Sequence, residues 1–253
     1  MSDPDINTDD TRHTRWVRIS HWIVAASFLT LAVSGLVILM AHPRLYWGEV
    51  GNDLTPALIE LPISRNFQHD GWSERERFFS DANSPVTSSR TYEIFNQNGW
   101  ARSLHFLAAW LLVVPGALYF LAGIFTGHFW RHLVPRRDEL NLRAIGQEVH
   151  KHLRLLIRAG TGGPQYGLLQ KCAYGLVVFV AFPLAVLTGL AMSPAITAAY
   201  PMLLDLFGGY QSARTIHFFD WVFLMMFLLI HVVMIIKSGF KRQIRAMTFG
   251  ERP

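Results

Sequence analysis

The chain has 253 residues, 51% of them hydrophobic, with 8 Trp and 18 Phe but only 16% charged side chains. That balance weighs against one or two soluble domains. The net charge of +5 does not point to nucleic acid, because the basic residues flank apolar blocks and form no nucleic-acid-binding motif. Cys172 is the only cysteine, which excludes an internal disulfide, a four-thiolate iron–sulfur cluster and covalent haem attachment through C-x-x-C-H.

Four apolar blocks are each long enough to cross a hydrocarbon core of about 30 Å, which takes roughly 20 residues in a helix. The first, about 17–41, follows Arg12, Arg15 and Arg18 and is stopped by Pro43 and Gly48, with Tyr46 and Trp47 suited to a membrane interface. A first loop over 42–100 follows, and its aromatic residues Phe67, Trp72, Phe78, Phe79 and Phe95 predict a folded lid rather than a linker. The second block, about 101–127, contains Pro115-Gly116, which predicts a kink or thin spot against which something flat could pack. A connector over 128–169 includes "DELNLRAIGQEVHKHLRLLIR", whose apolar residues recur near helical spacing among basic ones, as in a helix lying on a membrane surface. The third block, about 172–192, has an interior proline, Pro183, and a short loop around 193–213 leads to the fourth, about 215–236. The expected fold is a single all-α domain over 1–253, a four-transmembrane-helix bundle with a folded outer loop and an inner surface helix.

Charge sets the expected orientation. The 128–169 connector carries seven Lys/Arg against three acids and the tail after Phe240 four against one, whereas 42–100 holds five Arg against eight Asp/Glu. The positive-inside rule therefore places both termini and the connector in the cytoplasm and the long loop outside, as for a bacterial cytoplasmic-membrane protein.

Of eleven histidines, His13, His69, His132, His150 and His152 fall in polar segments, and His42 and His128 sit at helix ends. His21, His105, His217 and His231 instead lie in or within about one turn of the apolar blocks, where ionisable side chains are rare and usually face a functional interior. Successive helices alternate direction, so depth pairs His21 with His231 and His105 with His217, whichever way the molecule faces. In "RTIHFFDWVFLMMFLLIH", 214–231, His217 and His231 are 14 positions apart, about 21 Å of helix and close to four turns, on one face at two depths. "RISH" at 18–21, "RSLH" at 102–105 and "RTIH" at 214–217 each set an arginine (Arg18, Arg102, Arg214) three residues before the histidine, one turn nearer water on the same face.

A flat apolar cofactor with carboxylates at one edge would use this arrangement: an imidazole for its metal, a guanidinium for its acid groups. Two neutral imidazoles can fill both axial positions of a haem iron, giving an electron carrier without an open site. Zinc fits less well, since its sites want three or four ligands in tetrahedral array. The expected cofactors are two haem b groups held without covalent bonds, with His21, His105, His217 and His231 as iron ligands.

At these residues the chain resembles the bacterial di-haem cytochrome b subunits of membrane-bound hydrogenases, formate dehydrogenases and thiosulfate reductases. "RISHWIVAASFLTLAVSGL" is similar to that family's first helix, and "RTIH" with "IH" fourteen residues later is similar to its last. The resemblance implies the same four ligands and a quinone oxidised or reduced near the inner haem. "PQYGLLQK" resembles the family's segment before helix 3, which nominates Tyr166, Gln170 and Lys171 for a quinone pocket; Gly167 stands where formate-dehydrogenase-type members tend to have asparagine. The long outer loop is closer to the thiosulfate-reductase and molybdoenzyme-associated branch.

The expected function is transmembrane electron transfer between quinone and an outward-facing redox protein. This makes the chain an electron-transfer subunit of a membrane oxidoreductase. No second cofactor motif occurs in the chain, so the partner, a molybdenum-containing or iron–sulfur oxidoreductase, would dock on the loop bearing Trp47, Trp72, Arg75, Arg77, Phe78 and Phe79. A self-sufficient quinone oxidoreductase using a small outer donor such as superoxide is the competing expectation, and a folded docking surface favours the first.

Overall fold

The computed structural model describes residues 15–52, 55–63, 98–127, 129, 146 and 168–250. It is an all-α membrane bundle, and among the described residues four helices are long and apolar enough to span a bilayer: Arg15–Ala41, Gly99–Phe125, Gln170–Ala191 and Tyr210–Lys237. In chain order the elements are α1 (Arg15–Ala41), β1 (Arg44–Leu45), β2 (Ile59–Glu60), α2 (Asn98–Phe125), α3 (Leu168–Leu176), α4 (Phe182–Ala191), α5 (Pro194–Ala199), α6 (Met202–Phe207), α7 (Tyr210–Lys237) and α8 (Phe240–Phe249). Tyr166, the loop residues 65–82 and nearly all of the 128–169 connector, where a surface helix is expected, lie outside the described residues.

The spans are built as a bilayer demands. Lipid tails are as apolar as leucine, so helices associate through close backbone approach rather than hydrophobic burial. Accordingly the buried positions are mostly small: Ser27, Ala32 and Ser34 on α1, Ala101 and Ala108 on α2, Thr188 and Ala191 on α4, and Ser212, Ala213 and Thr215 on α7. The large apolar side chains face outward, among them Leu29 and Val33 on α1, Leu107 and Trp110 on α2, and Leu229 and Ile230 on α7. On a soluble protein such a surface would be an association site; here it matches the lipid.

Both interior prolines are inside spans. Pro115 sits within continuous α2. Between α3 and α4, residues Val177–Ala181 form a π-helical turn just before Pro183. Proline lacks an N–H and its ring collides with the carbonyl four residues back, so a wider turn accommodates it without breaking the span.

The chain divides into two compact units. The first comprises Met1–Ala25, Val114–Phe182 and Leu224–Pro253. Its aromatic contacts join Trp16 to Tyr119 and gather Phe120, Phe129 and Phe179 in mutual edge and tilted contacts. The start of α1 is tied to α8, with Arg18 Nη1 donating to the Thr248 carbonyl at 3.3 Å and Trp22 Nε1 to that of Met247 at 3.4 Å.

The second unit comprises Ala26–Val113 and Pro183–Phe223. The chain leaving α1 forms a strap whose Pro43, Arg44, Leu45 and Tyr46 are all buried, Arg44 and Leu45 completely. β1 pairs antiparallel with β2 in the register Arg44↔Glu60 and Leu45↔Ile59. The stretch expected as a short loop around 193–213 folds into α5 and α6, with Pro194 at the start of α5, where the missing N–H costs nothing. α7 then begins at Tyr210 rather than near 215, because Gly208 and Gly209 (φ +70 and +112) turn the chain out of α6. A Cβ on Gly209 would lie 2.6 Å from the Gly48 carbonyl carbon, so glycine lets the strap reach α7. There the Gln211 and Ser212 amides donate to the Gly48 carbonyl, the Gly48 amide donates to Ser212 Oγ, and Thr215 Oγ1 donates to the Tyr46 carbonyl.

Candidate functional site

In the second unit α2 carries His105 and α7 carries His217, and their ring centres are 6.4 Å apart at 63° between planes. In the first unit α1 carries His21 and α7 carries His231, again with ring centres 6.4 Å apart, at 47°. The structure thus brings together the two pairs that helix direction implies. Two imidazoles ligating one metal from opposite sides have centres about 6 Å apart, from a metal–nitrogen bond of about 2 Å and a ring radius of about 1 Å on each side. Each pair can hold a metal in that way. Among the described residues no three His, Cys, Asp or Glu side chains gather as a metal-ion site.

The second unit sets a small hydroxyl side chain against each of its two rings. Ser34 of α1 lies 3.0 Å from His105 Nδ1, and Thr188 of α4 lies 2.8 Å from His217 Nδ1. Both hydroxyl residues are buried and each is followed by a glycine. A Cβ on Gly35 would stand 3.3 Å from His105 Cε1, and one on Gly189 would stand 3.7 Å from His217 Cε1. Gly35 therefore keeps α1 close to its ring, while the space at Gly189 is ordinary contact. The repeated triplets "SGL" at 34–36 and "TGL" at 188–190, in apolar helices opposite the histidines, were a signal available in the sequence.

The three arginines differ in their setting. Arg214 Nη1 donates to the Arg44 carbonyl at 2.8 Å and to Gln211 Oε1 at 3.5 Å, and Nη2 donates to the His42 carbonyl. A guanidinium has five N–H donors, so Nε–H and one Nη2–H remain for another acceptor. Arg102, exposed one turn before His105, and fully buried Arg44 both lie within electrostatic reach of Arg214. Three cations therefore gather in the unit that holds His105 and His217, and Arg44, unlike the other two, has no histidine three residues after it. Arg18, three residues before His21, borders a cleft of about 360 Å³ together with Arg15, Ile19, Trp22, Ile23 and Thr248.

Around His231 the neighbours are aromatic. Phe227 stacks on it at 5.9 Å and 15°, and Tyr174 of α3 meets it edge-on at 6.4 Å. Gln170 and the buried Lys171 precede Tyr174 by about one turn of α3 and so share its side of the helix. Tyr174 is thus a polar neighbour of His231 within helix 3 itself, beyond the segment that contains Tyr166.

A four-span membrane helix bundle with two facing histidine pairs is the build of a membrane cytochrome b. Residues 12–250 match the family described as prokaryotic cytochrome b561, and the chain belongs to that family. It is a haem-carrying electron-transfer subunit of the membrane, and a multi-pass protein of bacterial type. It is also similar to a putative protein-methionine-sulfoxide reductase subunit, YedZ1, of Azospira oryzae, at 29% identity over 224 residues, 88% of this chain and 89% of the relative. No solved structure matches the chain.

Proposed function

We propose that the chain passes electrons between membrane quinone and an outward-facing redox protein through two b haems, one held by His105 and His217, the other by His21 and His231. The observation that carries this reading is the equal 6.4 Å separation of the two imidazole pairs. When bound, each haem would supply a one-electron carrier, with two imidazoles of the chain as its protein ligands. The protein's residues do the rest: the imidazoles hold the metals, Arg102, Arg214 and Arg44 offer cations to the carboxylates of one group, and Arg18 does so for the other. The charge bias of the loops supports cytoplasmic termini, with the pair of His21 and His231 near the inner face.

Quinone reacts in this reading on the inner side, where Lys171, Gln170, Tyr166 and Tyr174 offer donors to its carbonyls. Quinol oxidation releases two electrons and two protons, so the site needs polar side chains and access to water. Lys171→Met is expected to raise the KM for quinol by about tenfold with both haems retained, the loss of one charge-assisted hydrogen bond. An unchanged KM would make Lys171 an interfacial anchor, and a quinone-site inhibitor that perturbed only the outer haem would move quinone to the other face.

The name of the Azospira relative supports a reductase of protein methionine sulfoxide as the class of partner, of the molybdenum-containing or iron–sulfur kind expected for an outer oxidoreductase. Sulfoxide reduction to a thioether and water consumes two electrons and two protons, so electrons run outward from quinol. The docking surface is the outer loop. Deleting residues 65–82 is expected to abolish electron exchange with the partner, identified by pull-down, while pyridine haemochrome assay still finds two haems per chain. Unchanged exchange would reduce the loop to a lid and favour a small diffusible outer substrate.

A further inference from the structure

We propose that Ser34 and Thr188 are positioning residues that fix the protonation pattern of His105 and His217, making Nδ1–H a donor to the protein and Nε2 the nitrogen that faces the metal. The inference rests on the two-histidine reading above. It starts from where the hydroxyl protons go. Ser34 Oγ–H has its best acceptor in the Thr30 carbonyl at 2.7 Å, one turn back on α1. Thr188 Oγ1–H likewise has the Leu184 carbonyl at 2.6 Å on α4. A hydroxyl has one proton, and in each case its own helix takes it. The oxygen that remains toward the imidazole can only accept, so the hydrogen bond at 3.0 Å from His105 and that at 2.8 Å from His217 are donated by the ring, which at His105 also reaches toward the Leu31 carbonyl and at His217 toward that of Ala185.

The consequence is chemical as well as geometric. A neutral imidazole that gives its Nδ1 proton to an acceptor has its lone pair on Nε2, and the donation makes that lone pair more electron-rich. Both rings of one pair are polarised alike, by buried oxygens on different helices. Such ligands favour the oxidised metal, so removing either hydroxyl raises the midpoint potential of that haem. The hydroxyl–glycine order suits this use: the glycine beside each hydroxyl admits the ring edge, most tightly at Gly35.

The test uses the purified chain and four variants, Ser34→Ala, Thr188→Val, Thr188→Ser and Ser34→Thr. Redox titration with optical and EPR detection follows the two haems separately. Ser34→Ala and Thr188→Val are each expected to raise the ferrous-to-ferric ratio of the outer haem about tenfold at fixed potential, 59 mV for a one-electron couple. Its release half-life should fall 10- to 100-fold, the usual effect of losing such a partner. The inner haem stays unchanged, and Thr188→Ser behaves as wild type. If Ser34→Ala and Thr188→Val keep the outer haem with its potential and EPR signature unmoved, the hydroxyls only bond their own helices and the proposal fails. Should either variant fail to fold, the remaining one decides by the same shift; should neither fold, Thr188→Ser and Ser34→Thr, which retain the hydroxyl, must keep the wild-type potential, and a shift in both overturns the proposal. A wild-type chain without low-spin bis-histidine signals would instead refute the reading on which this one stands.

Discussion

Replacing His105 or His217 with alanine should remove one low-spin haem and leave the other, and replacing His21 or His231 should remove the complementary one. The four variants are expected to fall into two spectral classes because each imidazole has one imidazole facing it, at 6.4 Å in both units. Losing one imidazole would leave the group a single protein ligand and open a space of about the volume of the ring, which water can fill only by wetting an apolar interior. Loss of that haem should be near complete. Pyridine haemochrome assay then reads about one haem per chain for every single variant, and low-temperature spectra assign which one is missing. His105→Ala and His21→Ala losing the same spectral component would break the pairing, and a wild-type chain with no haem would end the two-haem reading. The double variant of His105 and His217 should resemble either single one, since both deletions act on one site.

The spans and the histidine pairing were legible because each follows from a long-range regularity of the chain. Twenty or so apolar residues must be a helix in lipid, and antiparallel helices must bring like depths together. The partners of the rings were harder to see. Ser34 and Thr188 are small polar residues inside apolar runs, and a hydropathy reading treats them as neutral filler. Their meaning depends on which helix faces which, although the repeated hydroxyl–glycine–leucine order on α1 and α4 marks them. Tyr174 carries no such mark, because it lies inside helix 3 and not in the segment before it that resembles the family's pocket. The π-helical turn at Val177–Ala181 follows from Pro183, but proline alone does not say whether a span will kink or widen. Arg214 shows the sharpest limit. Its register with His217 suggests a cofactor partner, and its bonds to carbonyls 170 and 172 residues earlier have no local signature.

Those bonds make Arg214 the residue whose loss should most disturb the strap. Its guanidinium bridges the carbonyls of His42 and Arg44, the two ends of the turn that leads into the buried segment Pro43–Tyr46. Hydrogen bonds from a charged donor contribute about 1.5–3 kcal/mol each, and partial solvent access at Arg214 reduces the combined loss in Arg214→Ala to about 2–4 kcal/mol of local stability. A factor of ten per 1.4 kcal/mol converts that to roughly 30- to 1,000-fold faster local opening. The amides to watch are Leu58 and Leu61, which bond to the Leu45 and Pro43 carbonyls, and Gln211, which bonds to that of Gly48. Their hydrogen exchange should accelerate together. Thr215→Val, which removes only the bond to the Tyr46 carbonyl, should accelerate it less. Arg214→Lys separates this anchoring from the proposed role toward cofactor carboxylates: an ammonium keeps the charge but cannot reach both carbonyls in one planar fork. The lysine variant is therefore expected to hold the outer haem near its wild-type potential while the strap amides still exchange quickly. Exchange unchanged in Arg214→Ala would mean that Ser212, Thr215 and the glycine contact at Gly209 suffice to hold the strap, leaving Arg214 to the cofactor alone.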